Sequence, residues 1–238
     1  MSHEYSENIL VQESAGNLLH DELGWDVVMA YNQEVLGADG TLGRRSYCDV
    51  VLTRELIAAL KRLNPWMSEN QIDEALTQFL SYSTTNTLMQ INEEKFAMIH
   101  DGIKVTDPRP GSETGTITAR LVDFENKPGN NHFLAVKEMK IHGSYYRRRT
   151  DIVGFVNGIP LLFIELKANS VDVKNAYDNN YLDYLDTIPQ LFHYNAFLML
   201  SNGYEAKIGT LGSKYEFFHE WKRLQEEDEG NVELETML

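Results

Sequence analysis

A long apolar stretch of the chain is interrupted only by an asparagine–glycine pair. The runs TDIVGFV and IPLLFIEL flank Asn157-Gly158. Asn-Gly between two apolar runs is the strongest short-range signal of a β-hairpin, because both residues tolerate the left-handed backbone of a tight turn. The pattern therefore predicts two buried strands that are joined at positions 157 and 158.

Segments with strand-like or helical periodicity surround this hairpin. A strand, NHFLAVKEMKI, is predicted before it, and a helix, VDVKNAYDNNYLDYLDTI, after it. The strands AFLMLSNG and YEAKIGTL follow, and SKYEFFHEWKRLQ is predicted as a helix. Residues 150–222 thus read β-β-α-β-β-α, and helices beside a buried sheet predict an α/β layered domain.

The first part of the chain is predicted to be mainly helical. Helical periods occur in SENILVQESAGNLLHDELGW, in TRELIAALKRLNP with Thr53 as its N-cap, and in SENQIDEALTQFLSY. The last of these begins with a capping-box pattern, Ser68 to Gln71. Residues 31–47 read as a loop. Residues 100–131 read as a loop or edge hairpin in which TARLVDF is the best strand.

Composition excludes several classes of protein. The chain has 238 residues with 42% hydrophobic and 24% charged, which is typical of a globular protein. The single cysteine, Cys48, rules out an internal disulfide, and the seven histidines show no zinc spacing. There is no apolar run of about 18 residues and the N-terminus is polar, so we expect a cytoplasmic protein without a membrane span or signal peptide.

The net charge of −15 argues against a protein that coats nucleic acid. The charges are nevertheless uneven, because KEMKIHGSYYRRRT at 137–150 contains five basic residues and one acidic residue. Screening limits the reach of distant charges to about 10 Å. A local basic stripe can therefore still attract a phosphate backbone.

Three charged residues at the ends of the predicted hairpin are candidate catalytic and metal-binding residues. Asp151, Glu165 and Lys167 form the pattern D-x13-E-x-K, and a period of two puts the last two on one face of a strand. Carboxylates are hard oxygen ligands suited to Mg²⁺, and a nearby lysine can orient water or stabilise charge. The set is suited to hydrolysing a phosphodiester, although solvated strand ends would show the same residues.

The register of the hairpin decides between these two interpretations. With strict pairing around a two-residue turn, Asp151 faces Ile164 and Glu165 points to the opposite face. A one-residue shift sets Asp151 opposite Glu165, and a bulge or a three-residue turn provides such a shift. Pro160 favours a break because it cannot donate to the ladder. We therefore predict an irregularity between Val156 and Leu161.

The segments RRRTDIVGFVNGIPLLFIELKAN and IPQLFHYNAFLMLSNGYEAKIGTL resemble the N-terminal nuclease region of the restriction (R) subunit of type I restriction–modification enzymes, in the PD-(D/E)xK nuclease superfamily. The resemblance covers roughly residues 5–238 and is strong over 131–212. It implies an α/β, restriction-endonuclease-like core with a central, mostly mixed sheet flanked by helices. It also implies an endonuclease domain over 1–222, with its catalytic core at about 131–212, and an acidic connector at 223–238 toward a helicase-like motor outside the chain.

The resemblance implies roles for individual residues. Asp151 and Glu165 would hold Mg²⁺ and Lys167 would activate or position water, while Thr150 stands where the superfamily name has proline. Glu13 matches an acidic residue that many members place near the metal, although it also reads as an exposed helix residue.

Related nucleases carry an accessory Q-x-x-x-Y motif after the E-x-K strand. Gln190 and Tyr194 match it literally, whereas Asn180 and Tyr184 match it by position, with Asn in place of Gln. Both pairs stay open as DNA-contacting candidates.

Arg147, Arg148 and Arg149, beside Tyr145 and Tyr146, are candidate DNA contacts, or else a solvated basic face. The implied partners are double-stranded DNA and the methyltransferase and specificity subunits of a restriction–modification complex. ATP would serve only the motor, because the chain has no phosphate-binding G-x4-G-K-[ST] motif.

The function expected from the resemblance is that of a Mg²⁺-dependent type I site-specific deoxyribonuclease domain, which cuts after ATP-driven translocation by the motor. One alternative is a non-catalytic module that clamps DNA or docks subunits. Another is a Mg²⁺ hydrolase of other phosphodiesters such as RNA. A metal titration separates the non-catalytic module from the two hydrolases. A comparison of DNA with RNA cleavage then separates the deoxyribonuclease from the hydrolase of other phosphodiesters.

Overall fold

A six-stranded sheet with helices on both faces organises the chain. The computed structural model describes residues 2–109 and 114–220, with the backbone alone for residues 2–10. The helices are α1 (Ser2–Asp21), α2 (Thr53–Leu63), α3 (Glu69–Leu80), α4 (Leu88–Asp101) and α5 (Leu182–Thr187). A π-helical segment, Ala176–Tyr181, leads directly into α5, and short 3₁₀ turns span Pro189–His193 and Tyr215–Phe217.

The strands are β1 (Asp26–Met29), β2 (Ile103–Thr106), β3 (Thr116–Ala119), β4 (Phe133–Lys137), β5 (Lys140–His142), β6 (Arg147–Arg149), β7 (Ile152–Val156), β8 (Ile159–Leu166), β9 (Phe197–Ser201) and β10 (Ala206–Gly209). The main sheet has the order β1-β4-β7-β8-β9-β10. Strands β1 and β4, and β8 and β9, pair in parallel, and the other neighbours pair antiparallel. The expected mixed sheet flanked by helices, a restriction-endonuclease-like architecture, is confirmed.

The predicted hairpin and its irregularity are both present. Asn157 and Gly158 have φ angles of 53° and 80° and form a tight two-residue turn. Next to the turn Phe155 pairs with Pro160, but one step further on Gly154 pairs with Leu162. Leu161 is therefore an extra residue, a β-bulge, within the predicted range. Continued to the end of the hairpin, the shifted register sets Asp151 beside Glu165.

Two apolar cores lie on opposite faces of the sheet. On one face α1 packs through Val11, Ala15 and Leu19 against side chains of β4, β7, β8 and β9. On the other face a larger core joins α2, α3 and the segment 173–194 to the same strands. Because both faces are covered, the central strands are buried along almost their whole length, which explains their continuous apolar sequences.

Several predicted boundaries were wrong. The strands in 100–131 are β2 and β3, which form a separate hairpin, whereas most of TARLVDF lies outside them. Leu121 and Val122 are buried as loop residues, so their hydrophobicity indicated burial and not pairing. Thr53 is the first residue of α2 and not its cap, since Leu52 precedes it and donates its N–H to the Gly158 carbonyl.

Other elements differ in extent. The capping box of Ser68 and Gln71 at α3 is confirmed, and α4, which the pattern did not predict, begins with a second box formed by Thr87 and Gln90. The predicted helix SKYEFFHEWKRLQ is a single 3₁₀ turn in its described part, because His219 pairs with Ile208 in extended form. Residues 223–238, the predicted connector, lie outside the described residues. None of the described helices is long and apolar enough to cross a membrane.

Asn157 does more than turn the chain. Its side chain is fully buried and donates to the Leu121 carbonyl at 2.9 Å and to Asn131 Oδ1 at 3.0 Å. Its Oδ1 accepts from Arg62 Nη2 at 3.0 Å and from the His132 N–H at 2.8 Å. Asn157 therefore fixes the hairpin to three other segments.

We expect Asn157→Ala to lower the free energy of unfolding by about 3–5 kcal/mol, because it leaves buried partners unsatisfied and puts Ala at a positive φ. Urea unfolding measures the change. Asn126→Ala is the control, since Asn126 also has a positive φ (48°) but is exposed and accepts one bond, from Asn131. The control should cost about 1 kcal/mol. Equal losses in the two variants would contradict the structural role given to the Asn157 amide.

Candidate active site

A cavity of about 440 Å³ opens at the end of the hairpin that is remote from the turn. Asp151 lies at the start of β7, and Glu165 and Lys167 lie at the end of β8. Helix α1 closes one side of the cavity and the π-helical segment with α5 closes another. The lining residues are Gln12, Glu13, Met29, Tyr31, Glu138, Arg149, Asp151, Glu165, Leu166, Lys167, Asn180 and Tyr184. The three predicted catalytic residues thus share one cavity.

The two carboxylates are held by different means. The N–H of Leu166 donates to Asp151 Oδ2 at 2.7 Å, which crosses from β8 to β7 and fixes one oxygen. Glu165 is 1% exposed, and its Oε1 lies 3.4 Å from Lys167 Nζ. Its Oε2 is buried and has no hydrogen-bond partner among the described residues. A buried carboxylate oxygen without a partner is costly and needs an explanation.

Burial and mutual repulsion raise the pKa of both carboxyl groups. Burial is the main cause of a pKa of about 6 for Asp151, although the Leu166 N–H and Lys167 oppose the shift. Burial also raises the pKa of Glu165 well above its ordinary value, and the neighbouring Asp151 raises it further. Two carboxylates that repel each other in a site with little water favour the binding of a positive charge between them.

Lys167 supplies part of that charge. Its Nζ donates to Asn180 Oδ1 at 2.7 Å and lies 3.4 Å from Glu165 Oε1. The ammonium group is therefore placed between the carboxylate and the amide instead of extending into solvent. Because an ammonium has three donors, one N–H remains available to the cavity.

The structure distinguishes between the two candidate accessory pairs by position. Asn180 contacts Lys167, and the Tyr184 hydroxyl, at the cavity wall, donates to the Arg149 carbonyl at 2.9 Å. Gln190 and Tyr194 line a different cavity, so of the two candidate pairs it is Asn180 and Tyr184 that lie at the cavity of Lys167. Gln190 Nε2 donates to the His142 carbonyl, and the buried Tyr194 hydroxyl points to the Phe79 carbonyl.

Among the α1 side chains that the structure describes, that of Gln12 reaches the carboxylates. Glu13 lines the cavity but is exposed, whereas Gln12 is 5% exposed. Its Nε2 donates to Glu138 Oε1 at 3.0 Å and lies 3.5 Å from Asp151 Oδ1. Sequence analysis missed Gln12, although a signal existed, since it stands three and seven positions before Ala15 and Leu19 on the buried stripe of the helix.

Glu138 is a third carboxylate in the cavity wall, and no spacing rule could have found it. It has a φ of 57°, which is unusual for a residue other than glycine, and its N–H donates to the Asp151 carbonyl at 2.8 Å. Its Oε2 forms an ion pair with Arg149 Nε at 2.6 Å. The strained backbone thus joins the end of β4 to the start of β7 at the site.

The three consecutive arginines have three different environments. Arg147 is exposed, Arg148 forms a two-pronged ion pair with Asp183, and Arg149 pairs with Glu138 beneath the ring of Tyr31. Only Arg149 lines the catalytic cavity. The run RRR is therefore partly structural, in contrast to a uniform basic face.

Asp151 and Glu165 are the residues that could hold a metal ion here. No group of three or more His, Cys, Asp or Glu side chains converges on a metal position within the described part of the chain. Two carboxylates nevertheless suit Mg²⁺, which keeps several waters and takes the rest of its ligands from phosphate oxygens. The partnerless Oε2 of Glu165 is the observation that fits such an ion.

Comparisons with known proteins identify the family of the chain. The model of the type I restriction enzyme R protein N terminus matches residues 4–217. The endonuclease subunit of the type I restriction enzyme HindI from Haemophilus influenzae is 33% identical over 225 residues, which cover 91% of this chain and 21% of that protein. A putative type I restriction enzyme MjaIXP endonuclease subunit from Methanocaldococcus jannaschii is 30% identical over 202 residues, covering 79% and 18%.

The chain belongs to the family of type I restriction enzyme R protein N-terminal regions. It spans about a fifth of the length of the curated relatives that it matches.

Because the folded-state pKa of Glu165 is raised, protonation of this residue stabilises the fold at low pH, and that stabilisation is lost as the pH rises through its folded pKa. We therefore expect Glu165→Gln to raise the melting temperature of the metal-free protein at about pH 7.5, by roughly 2–5 °C. The gain should shrink toward about pH 5. Calorimetric melting in the presence of a chelator measures both values.

Glu13→Gln is the matched control, because it removes an exposed carboxylate from the rim of the same cavity. Its melting temperature should follow that of the unchanged protein at both pH values. A Glu165→Gln protein that melts below the unchanged protein at about pH 7.5 would show that the buried charge is already compensated.

Proposed function

We propose that this chain is the Mg²⁺-dependent endonuclease domain of a type I restriction–modification R subunit. In this proposal it hydrolyses DNA phosphodiesters after ATP-driven translocation by motor domains outside the chain. The observation that supports it best is the buried, partnerless Oε2 of Glu165 beside Asp151 in a cavity that also contains Lys167. The names of the relatives, which are endonuclease subunits of type I restriction enzymes, support the same reaction class.

Each residue of the cavity has a chemical task in this proposal. Asp151 and Glu165 would hold the ion, and Mg²⁺ bound there would polarise the scissile phosphate and lower the pKa of water. Lys167 has an N–H available to hold the attacking water or to neutralise charge that develops on the phosphate. Asn180 keeps the Lys167 ammonium in place through its 2.7 Å contact. Gln12 supports the Asp151 side from α1.

The charge of the chain fits a nuclease that is brought to its substrate by other parts of an enzyme. With a net charge of −15, the isolated domain should bind duplex DNA weakly and cut it slowly. Double-stranded DNA and the methyltransferase and specificity subunits are the proposed partners. Strong cleavage of free duplex by the isolated chain would contradict this part of the proposal.

We expect calorimetry to detect Mg²⁺ binding to the unchanged chain and not to Asp151→Ala, because the variant removes a ligand. A short duplex should strengthen the binding, since phosphate oxygens complete the coordination. Glu13→Gln, at the rim of the cavity, should keep its affinity within about twofold if Glu13 is not a ligand.

The Mg²⁺ titrations, together with a comparison of DNA and RNA cleavage, decide between the remaining functions. Binding of Mg²⁺ by neither protein, with and without duplex, would favour a non-catalytic module that clamps DNA or docks subunits. Metal-dependent cleavage of RNA in preference to DNA would contradict the assignment as a deoxyribonuclease while leaving the metal site intact.

The two candidate accessory pairs predict different rates of DNA cleavage. Lys167→Ala should lower the single-turnover rate about 100-fold or more, because it removes a positioned donor. Asn180→Ala should lower it about 10-fold, because Lys167 loses its orientation. Tyr194→Phe should leave the rate unchanged, since its hydroxyl lies outside the catalytic cavity. The reverse ranking of Asn180 and Tyr194 would show that the literal motif is the functional one.

A further inference from the structure

A small two-stranded sheet stands beside the catalytic cavity and is separate from the main sheet. Strands β5 and β6 pair from Lys140 with Arg149 to His142 with Arg147. The turn at 143–146 is closed by the Gly143 N–H, which donates to the Tyr146 carbonyl at 2.8 Å. We call this hairpin, residues 140–149, the basic ribbon.

The tip of the basic ribbon presents aromatic and cationic side chains to solvent. Tyr145 is 92% exposed and Tyr146 is 54% exposed, which is unusual for two adjacent large rings. Arg147 is exposed and has no ion-pair partner in the part of the chain that the structure describes. Rings and an unpaired guanidinium together are typical of surfaces that contact nucleic acid, where rings meet bases and cations meet phosphates.

The base of the basic ribbon is, in contrast, firmly attached to the body of the protein. The two carboxylate oxygens of Asp183 on α5 accept hydrogen bonds from Nε and Nη2 of Arg148. Arg44 Nη2 donates to the Lys140 carbonyl at 2.7 Å, and Gln190 Nε2 donates to the His142 carbonyl at 2.9 Å. Gln190, which does not belong to the catalytic cavity, therefore has a structural role in this position. The strands are thus held against the body of the protein, and the side chains of Tyr145, Tyr146 and Arg147 at the turn are the exposed part of the basic ribbon.

The basic ribbon is locally positive in an acidic protein. Burial is the main cause that lowers the pKa of His142 on β5. The nearby positive charges of Arg147, Arg44 and Lys140 lower it further. Such a shift reports a positive potential at this strand. Asp183 and Glu138 neutralise Arg148 and Arg149, so the remaining positive charge of the basic ribbon is that of Arg147 and Lys140.

The basic ribbon also leads directly into the catalytic site. Arg149, the last residue of β6, lines the catalytic cavity, and Asp151 follows two residues later. Tyr184 of the cavity wall holds the Arg149 carbonyl at 2.9 Å. A partner bound at the tip would therefore be placed at a fixed distance from the two carboxylates.

From these observations we infer that the turn of the basic ribbon, with the exposed side chains of Tyr145, Tyr146 and Arg147, contacts the substrate duplex in its major groove and positions one strand over Asp151 and Glu165. The major groove is about 12 Å wide and about 8.5 Å deep and admits a two-stranded ribbon. Arg147 would contact a phosphate and Tyr145 the base edges. The inference rests on the proposed function and names the DNA element that the site recognises.

Fluorescence anisotropy with a labelled duplex, in Ca²⁺ to prevent cleavage, tests this inference on the full chain. Arg147→Ala should weaken binding about 5–10-fold at low salt and reduce the salt slope by about 1. Tyr145→Ala should weaken binding at least about fivefold. The matched controls, Arg120→Ala and Tyr204→Ala, remove exposed residues of the same types outside the basic ribbon and should bind like the unchanged chain.

Modified DNA tests which groove is used. Bulky substituents at the 5-position of pyrimidines project into the major groove, so they should weaken binding by the unchanged chain and not by Tyr145→Ala. A ligand that fills the minor groove should have little effect. Sensitivity to the minor-groove ligand alone, equal affinities of the ribbon and control variants, or no detectable binding by the unchanged chain at low salt would each overturn the inference.

Cleavage assays on the same variants separate this inference from the proposed function. Metal-dependent cleavage that requires Asp151 but is unaffected by Tyr145→Ala and Arg147→Ala would overturn the role of the basic ribbon alone. Binding that depends on the basic ribbon, without metal-dependent cleavage by any preparation, would overturn the proposed function and leave the DNA contact standing.

Discussion

The candidate site depends on one extra residue in a β-strand. Without the bulge at Leu161, strict pairing around Asn157-Gly158 would turn Asp151 and Glu165 to opposite faces of the hairpin. The bulge is held from the turn, because Asn157 is fixed to neighbouring segments by buried hydrogen bonds. Asn157 thus anchors the turn from which the register of the hairpin runs to the two carboxyl groups.

The electrostatics of the resulting site lower the stability of the metal-free protein. The half-buried Asp151 and the fully buried Glu165 both have raised pKa values, and Glu165 has a partnerless oxygen, so the pair destabilises the metal-free fold at neutral pH. Lys167 offsets part of the repulsion, and Glu138 draws Arg149 to the cavity rim. Such uncompensated charge is expected where a cation and a phosphate are to be bound, because functional sites are the places where local stability rules are broken.

Sequence analysis predicted the hairpin from its Asn-Gly turn, and it predicted the irregularity from Pro160 and from the need to bring Asp151 and Glu165 to one face. It missed α4 and misplaced the strands of 100–131, where burial in loops resembles burial in strands. It also could not choose between Asn180 and Gln190, since the choice depends on how the chain turns after α5. Glu138 was out of reach because its role comes from a single unusual φ angle.

Gln190 and Tyr184, one residue from each candidate accessory pair, both contact the basic ribbon. Gln190 is bound to the carbonyl of His142, so it stabilises the strand that precedes the arginines and not the lysine of the catalytic cavity. Tyr184 bonds to the opposite strand at Arg149. One residue from each candidate pair therefore holds one strand of the same ribbon. The helical segment after β8 therefore contacts the basic ribbon through Tyr184 and the lysine beside the two carboxyl groups through Asn180.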